Sequence, residues 1–164
     1  MTTVIDLLSE QMRQRSNSDS SWFVSLNTAL DGVTASIASW RPNEQFNTIW
    51  QLVNHLTFWT EFVSNRLDGS LPTGKRIDNQ STFGEPGNPS DDKGWSSAVA
   101  KQFFAYNQFY ELLAQASVED MNRVLNSAGT AASTMIGGCL LHDSYHIGQI
   151  VLLRRLQGVW INQK

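Results

Sequence analysis

The sequence predicts an all-α fold, an antiparallel four-helix bundle with a long irregular crossover between its second and third helices. Three observations carry this expectation. Apolar residues recur at three- and four-residue steps in several stretches, as in amphipathic helices. No alternating apolar–polar run of useful length is present, and no Asn-Gly or Asp-Gly stands between β-branched residues. One segment, 69–94, gathers the helix breakers, with three of the four prolines and five of the eleven glycines.

Each element has its own signal. From Phe46 to Leu67 the apolar set Phe46, Ile49, Val53, Leu56, Val63 and Leu67 alternates with Asn47, Gln51, Asn54, Glu61 and Asn65. Pro42-Asn43 precedes this helix and Asp68-Gly69 provides its stop. A second helix reads from Trp95 to Ala116 through Val99, Phe103, Tyr106, Phe109 and Leu113, after the start signal Asp91-Asp92-Lys93-Gly94. A third runs from Ser133 to Leu156 and ends at Gly158, with Arg154 and Arg155 in its last turns, where cations suit the helix dipole. At the N-terminus, Val4 to Gln14 and Trp22 to Leu30 both read as helical. The turn-forming Ser16-Asn17-Ser18-Asp19-Ser20 lies between them, which leaves one kinked helix or two. The 69–94 crossover has Leu71, Ile77 and Phe83 to bury, so it is expected to pack rather than wander.

Length and charge bound the function. With 164 residues, a single domain spanning 1–164 is expected, with one core. Charged residues are 16% of the chain and the formal charge is −3, so no basic field exists to neutralise phosphates or anionic headgroups. No nucleic acid and no membrane are expected as partners. The first residues lack the basic-then-apolar pattern of a secretory signal, and no apolar run approaches a membrane span, so a cytoplasmic protein is expected. The lone Cys139 excludes an internal disulfide and a four-cysteine zinc site.

Chemistry concentrates in the three histidines. His142 and His146 are one helical turn apart, and residues at that spacing share a face with Cβ atoms roughly 5 to 6 Å apart. His55 falls inside another strong helical stretch. A His-x3-His pair alone is also what two buried, hydrogen-bonded histidines look like, and spacing leaves both readings open. Burying all three without a metal, however, requires partners for six ring nitrogens.

Three neutral imidazoles suit zinc, nickel or iron, and three protein ligands leave a position open for water or substrate. Gln149, three residues after His146, is placed to hydrogen-bond a ligand histidine or face a pocket. Tyr145 is a candidate for the pocket rim and Trp59, four after His55, for its wall. Asp143 points about 100° away from the His142 face, which makes it a solvated or interhelical carboxylate. Cys139 roughly shares the His142 face, but a single free cysteine is usually a small buried apolar residue.

Three look-alikes fail. Gly69 to Arg76 approaches a phosphate-binding loop, but Arg76 replaces the magnesium-binding hydroxyl and no strand precedes it. His142 to His146 lacks the glutamate of the zinc-protease motif. Ser144, Asp143 and His146 lie too close together on one helix to form a triad.

Two segments, Thr48-Ile-Trp-Gln-Leu-Val-Asn-His55-Leu-Thr-Phe-Trp59 and Leu141-His142-Asp-Ser-Tyr-His146-Ile-Gly-Gln-Ile150, resemble the signature segments of the DinB/YfiT-like superfamily of bacterial metalloproteins. So does Leu30-Asp-Gly-Val-Thr34 leading to Trp40-Arg-Pro42. The resemblance covers nearly the whole chain and is loose only in the crossover and in 117–130. It implies a DinB-like four-helix bundle, usually a homodimer, with a divalent metal such as nickel or zinc held by His55, His142 and His146.

It further implies a metal-dependent enzyme acting on a small molecule. In the family such enzymes are transferases or isomerases using low-molecular-weight thiols such as bacillithiol or mycothiol, or proposed hydrolases. One scaffold carries several functions, so the resemblance does not choose among them. The absence of an evident general base motivates the alternative of a non-enzymatic metal-binding or stress-response protein. A metal-free dimerisation module is a third reading.

Overall fold

The computed structural model describes residues 2–16, 22–71 and 77–160. Its helices are α1 (Val4–Ser16), α2 (Leu26–Leu30), α3 (Ala35–Ala38), α4 (Ile49–Leu67), α5 (Asp92–Ala114), α6 (Val118–Asn122) and α7 (Ala132–Leu156), with a 3-10 turn at Gln80–Phe83. Among the described residues there is no strand, only an isolated bridge between Val124 and Ala131. The four long helices α1, α4, α5 and α7 form the all-α bundle, and α2, α3 and α6 are short connecting turns packed on them.

Local capping decides where the elements begin, and it corrects several expected boundaries. Thr48 and Gln51 form a reciprocal capping box, each side chain bonding the other's backbone N–H at 3.1 Å, so α4 starts at Ile49. Phe46, expected to open this helix, lies outside it and is exposed. Asp91 accepts from Gly94 N–H and starts α5 at Asp92, three residues before Trp95. Ser25 caps α2, which shrinks the expected 22–30 helix to Leu26–Leu30 and leaves Trp22 fully exposed. Residues 22–25 are not helical, so α1 and α2 are separate helices; most of the serine-rich turn between them lies outside the described residues.

The crossover has a geometric reason. Trp50 lies beside Trp95 near the starts of α4 and α5, and Glu61 reaches Lys101 further along both, so these two helices run in the same direction and are an exception to the expected antiparallel arrangement. The chain must therefore return to the starting end before α5 begins. Its described part packs rather than wanders: Phe83 is buried, while Leu71 and Ile77 are half-buried. Gln51 donates to the Gly84 carbonyl and Asn54 to that of Phe83, which ties the 3-10 turn to the side of α4. Gly87 adopts φ +88° against the Trp50 ring, where a Cβ would come within 2.4 Å of ring carbon. The look-alike phosphate loop falls largely on 72–76, outside the described residues.

Two apolar clusters make up the core. One joins Leu52, Val53, Leu56 and Phe83 to Trp95, Ile147, Ile150 and Leu153. The other joins Leu8, Met12, Val63 and Leu67 to Phe109, Leu113, Ile136 and Leu140. Along α7 the first holds positions 147–153 and the second 132–140, so His142, Asp143 and His146 occupy the interval between them. The other helices add buried polar groups of their own, with His55 among the last first-cluster positions of α4, Gln102 on α5 and Arg15 at the end of α1. This polar layer at mid-height is where the functional side chains meet.

Candidate metal centre

Histidine 55 projects from the middle of α4 between Leu52 and Leu56 and is almost wholly buried. Its ring stacks flat on Phe83 of the crossover, with centroids 3.8 Å apart and planes 6° from parallel. Helix α7 brings His142 and His146 to the same point, one turn apart on its inward side. His142 Nε2 lies 3.0 Å from His55 Nε2 and 3.1 Å from His146 Nε2. One ligand atom from each residue falls within 4.8 Å of the others, the one such histidine, cysteine or carboxylate group among the described residues.

The opposite ring nitrogens show which Nε2 atoms carry lone pairs. Thr82 Oγ1 donates its single proton to the Asn79 carbonyl at 2.6 Å, so it accepts from His55 Nδ1–H at 2.5 Å. His146 Nδ1 lies 2.7 Å from Gln149 Oε1, which as an amide oxygen only accepts. Both histidines are thereby held as Nδ1–H tautomers, with Nε2 lone pairs aimed inward. A proton on His142 Nε2 satisfies only one of them, so at least one lone pair faces another nitrogen with nothing between.

A cation resolves this conflict. Zinc–nitrogen distances of about 2.0–2.1 Å place tetrahedral ligands roughly 3.3 Å apart, close to the 3.0 and 3.1 Å that separate His142 Nε2 from those of His55 and His146. The residues present therefore fit a divalent metal.

Electrostatics agree with neutral ligands. Burial, and then the neighbouring His146 and His142, push the pKa of His55 from 6.5 down to about 3. Burial also lowers that of His146, outweighing the bond to Gln149 that favours its charged form. His142 is the most accessible of the three, with its side chain 31% exposed.

It opens onto a cavity of about 340 Å³ walled by Trp59, Phe62, Val63, Met135, Gly138 and Cys139, with Asn79 at one side. Trp59 stands edge-on to both His55 and His142 at 6.2 Å. Cys139 is buried in the wall, and burial pushes its thiol well above the usual range.

The structure thus brings His55, His142, His146, Gln149 and Trp59 together. Tyr145 contacts the His146 ring edge-on at 4.9 Å but is largely exposed and does not line this cavity. Of the two readings of Asp143, the structure shows the interhelical carboxylate and not the solvated one. It is fully buried and bonded across the bundle to Arg15, because the inward face of α7 is wide enough to take 136, 140, 143, 147 and 150 as well as the histidine side.

Sequence reasoning passed over Thr82, Asn79 and Arg15. Arg15 had a legible signal, since it continues the buried Leu8–Met12 stripe of α1 at helical spacing. Thr82 had none, because nothing local links a crossover threonine to a helix 27 residues earlier.

A comparison with curated proteins finds no match. The family model of the DinB superfamily matches residues 24–150, a span that includes α4, the crossover, α5 and all three histidines. With most of its length matched and the three-histidine cluster in place, the chain belongs to the DinB superfamily.

Proposed function

We propose that this protein is a metal-dependent enzyme acting on a small molecule in the cavity beside His142, of the thiol-dependent transferase or hydrolase type, with nickel or zinc as the metal and iron as a third candidate. The observation that carries the reading is the convergence of three Nε2 atoms, two of them held as lone-pair donors by Thr82 and Gln149. A divalent cation held by His55, His142 and His146 would supply Lewis acidity, bringing the pKa of a bound thiol or water towards neutrality.

The chain's own residues do the rest. Thr82 and Gln149 orient the ligand rings, and the apolar wall of Trp59, Phe62, Val63 and Met135 shelters the hydrophobic part of a substrate from water. In a thiol transfer the sulfur gives up its proton, bonds to the electrophilic carbon and displaces a leaving group with its electron pair. A cytoplasmic location supplies a low-molecular-weight thiol as cosubstrate.

One observation favours the non-enzymatic metal-binding alternative: among the described residues the cavity wall carries no carboxylate or amine to serve as a base. Metal analysis by mass spectrometry decides the first step, on untagged protein purified without imidazole or chelator, beside His142→Ala. About one divalent metal per chain, lost in the variant, supports the centre, and its absence from the wild type overturns it. A panel of electrophiles with several thiols then separates the readings, since no turnover by any metal-loaded form favours the non-enzymatic one.

We also propose a homodimer formed through α7. Its outer face presents Gly138, Leu141, Tyr145, Gly148 and Leu152, all exposed, at alternating three- and four-residue steps. Such a stripe packs against a second copy of the same helix. Light scattering on Leu141→Glu/Leu152→Glu is expected to show a monomer, and an unchanged mass overturns this interface.

A further inference from the structure

The polar layer holds a buried charge pair that the three histidines do not use. Arg15 and Asp143 are 1% and 0% exposed, and Arg15 Nε donates to Asp143 Oδ2 at 2.9 Å. The guanidinium lies over the Tyr106 ring, 4.0 Å from its centroid, and the Tyr106 hydroxyl donates to the Met12 carbonyl one turn back on α1. Beyond this, both terminal guanidinium nitrogens and Asp143 Oδ1 have no hydrogen-bond partner among the described residues. As a stabilising device this is poor, because two charges leave water and regain only part of their hydrogen bonding. Apolar residues of similar volume usually serve stability as well or better. What the pair does accomplish is to hold Asp143 Oδ1 in one place.

That place is beside a metal ligand. Asp143 Oδ1 lies 3.6 Å from His142 Nδ1, and neither atom has another partner among the described residues. A ligand imidazole normally donates its second N–H to a carboxylate, carbonyl or water, which fixes its tautomer and raises its basicity. His55 has Thr82 for this and His146 has Gln149. Among the described residues His142 alone has none within bonding distance, and Asp143 Oδ1 stands about 0.5 Å too far. Of the two residues His142 is the one free to move, being partly exposed, whereas Asp143 is pinned from the opposite side by α1.

We infer that Asp143, held by Arg15 of the N-terminal helix, is the positioning residue of His142, accepting its Nδ1–H when Nε2 binds a cation. The inference rests on the three-histidine metal reading. It makes the docking of α1 part of the metal centre, since Arg15 reaches the ligand through one carboxylate.

The test measures zinc affinity by chelator competition for the wild type, His55→Ala, Asp143→Asn and the double variant Arg15→Met/Asp143→Leu. Thermal unfolding of each metal-free protein and nitrogen-15 histidine spectra of the zinc-loaded forms accompany it. Asp143→Asn leaves Arg15 buried without its counter-charge, so it is expected to lose both stability and zinc affinity. The double variant removes both charges. It is expected to regain wild-type melting while its zinc affinity stays 10- to 100-fold weak and the His142 Nδ1 proton loses its hydrogen-bonded shift.

A merely structural pair gives the opposite pattern, with zinc affinity recovering along with stability in the double variant, and that result overturns the inference while leaving the centre intact. Equal zinc affinity in the wild type and His55→Ala overturns the metal reading and the inference together.

Discussion

Replacing Thr82 by valine removes one oxygen, keeps the shape, and tests whether the crossover belongs to the metal centre. Thr82 is 7% exposed and His55 1%, so no bulk water replaces the lost acceptor. The His55 Nδ1–H, which now reaches Thr82 Oγ1 at 2.5 Å, is left buried and unpaired. An unsatisfied buried donor costs about 1–3 kcal/mol.

His55 has one way to reduce that cost, which is to move its proton to Nε2 and spend the lone pair that the metal needs. The expected result is a zinc affinity about 10- to 100-fold weaker, equivalent to about 1.4–2.7 kcal/mol. Competition titration against a chromophoric chelator measures it. Thr57→Val is the control: Thr57 is also buried on α4, but its hydroxyl donates to the Val53 carbonyl of its own helix at 2.8 Å and to no histidine, so the variant's zinc affinity stays at the wild-type value. If Thr82→Val binds zinc within twofold of the wild type, the lone-pair argument for His55 is wrong.

Acid sensitivity follows from the same rings. His55, with its pKa pushed to about 3, and His146, also lowered, stay neutral in the fold, whereas in the unfolded chain each takes a proton near 6.5. Below that pH the unfolded state binds more protons, so the metal-free protein loses stability as pH falls from about 6.5 towards 3. Urea midpoints at pH 7.5 and 5 read this loss, and His55→Phe is expected to flatten it; equal wild-type midpoints contradict it. In the second apolar cluster Phe109 is 1% exposed, and Phe109→Ala is expected to cost about 3–5 kcal/mol. Denaturant unfolding measures the cost, and a value below about 1 kcal/mol excludes a tightly packed core there. Folded Cys139, buried and with its thiol pKa raised, is expected to react with a maleimide far more slowly than in urea.

Much of the molecule was legible because it is local. Apolar spacing located α1, α4, α5 and α7, and the Thr48-x-x-Gln51 box that sets the start of α4 was itself present in the sequence, though Phe46 drew the boundary too early. The Trp22–Leu30 stretch misled because an aromatic near an apolar run reads as helix. Ser25 offers the backbone a cap there, and tertiary burial begins only at Leu26. Asp143, counted about 100° off the His142 face and read as a solvated or interhelical carboxylate, proves to be the interhelical one, bonded to Arg15 of α1; the count alone could not choose between the two, because α7 packs over a broad arc.

The sequence by itself determined the all-α class, the Pro- and Gly-rich break in the chain, and the pairing of His142 with His146, because each depends on residues a few positions apart on one backbone. Only the tertiary structure decided that His55 completes the cluster, that Thr82 returns from the crossover to hold its proton, and that Arg15 meets Asp143 across 128 positions. These contacts exist because two apolar clusters close above and below a polar layer, and burial leaves those groups only each other as partners.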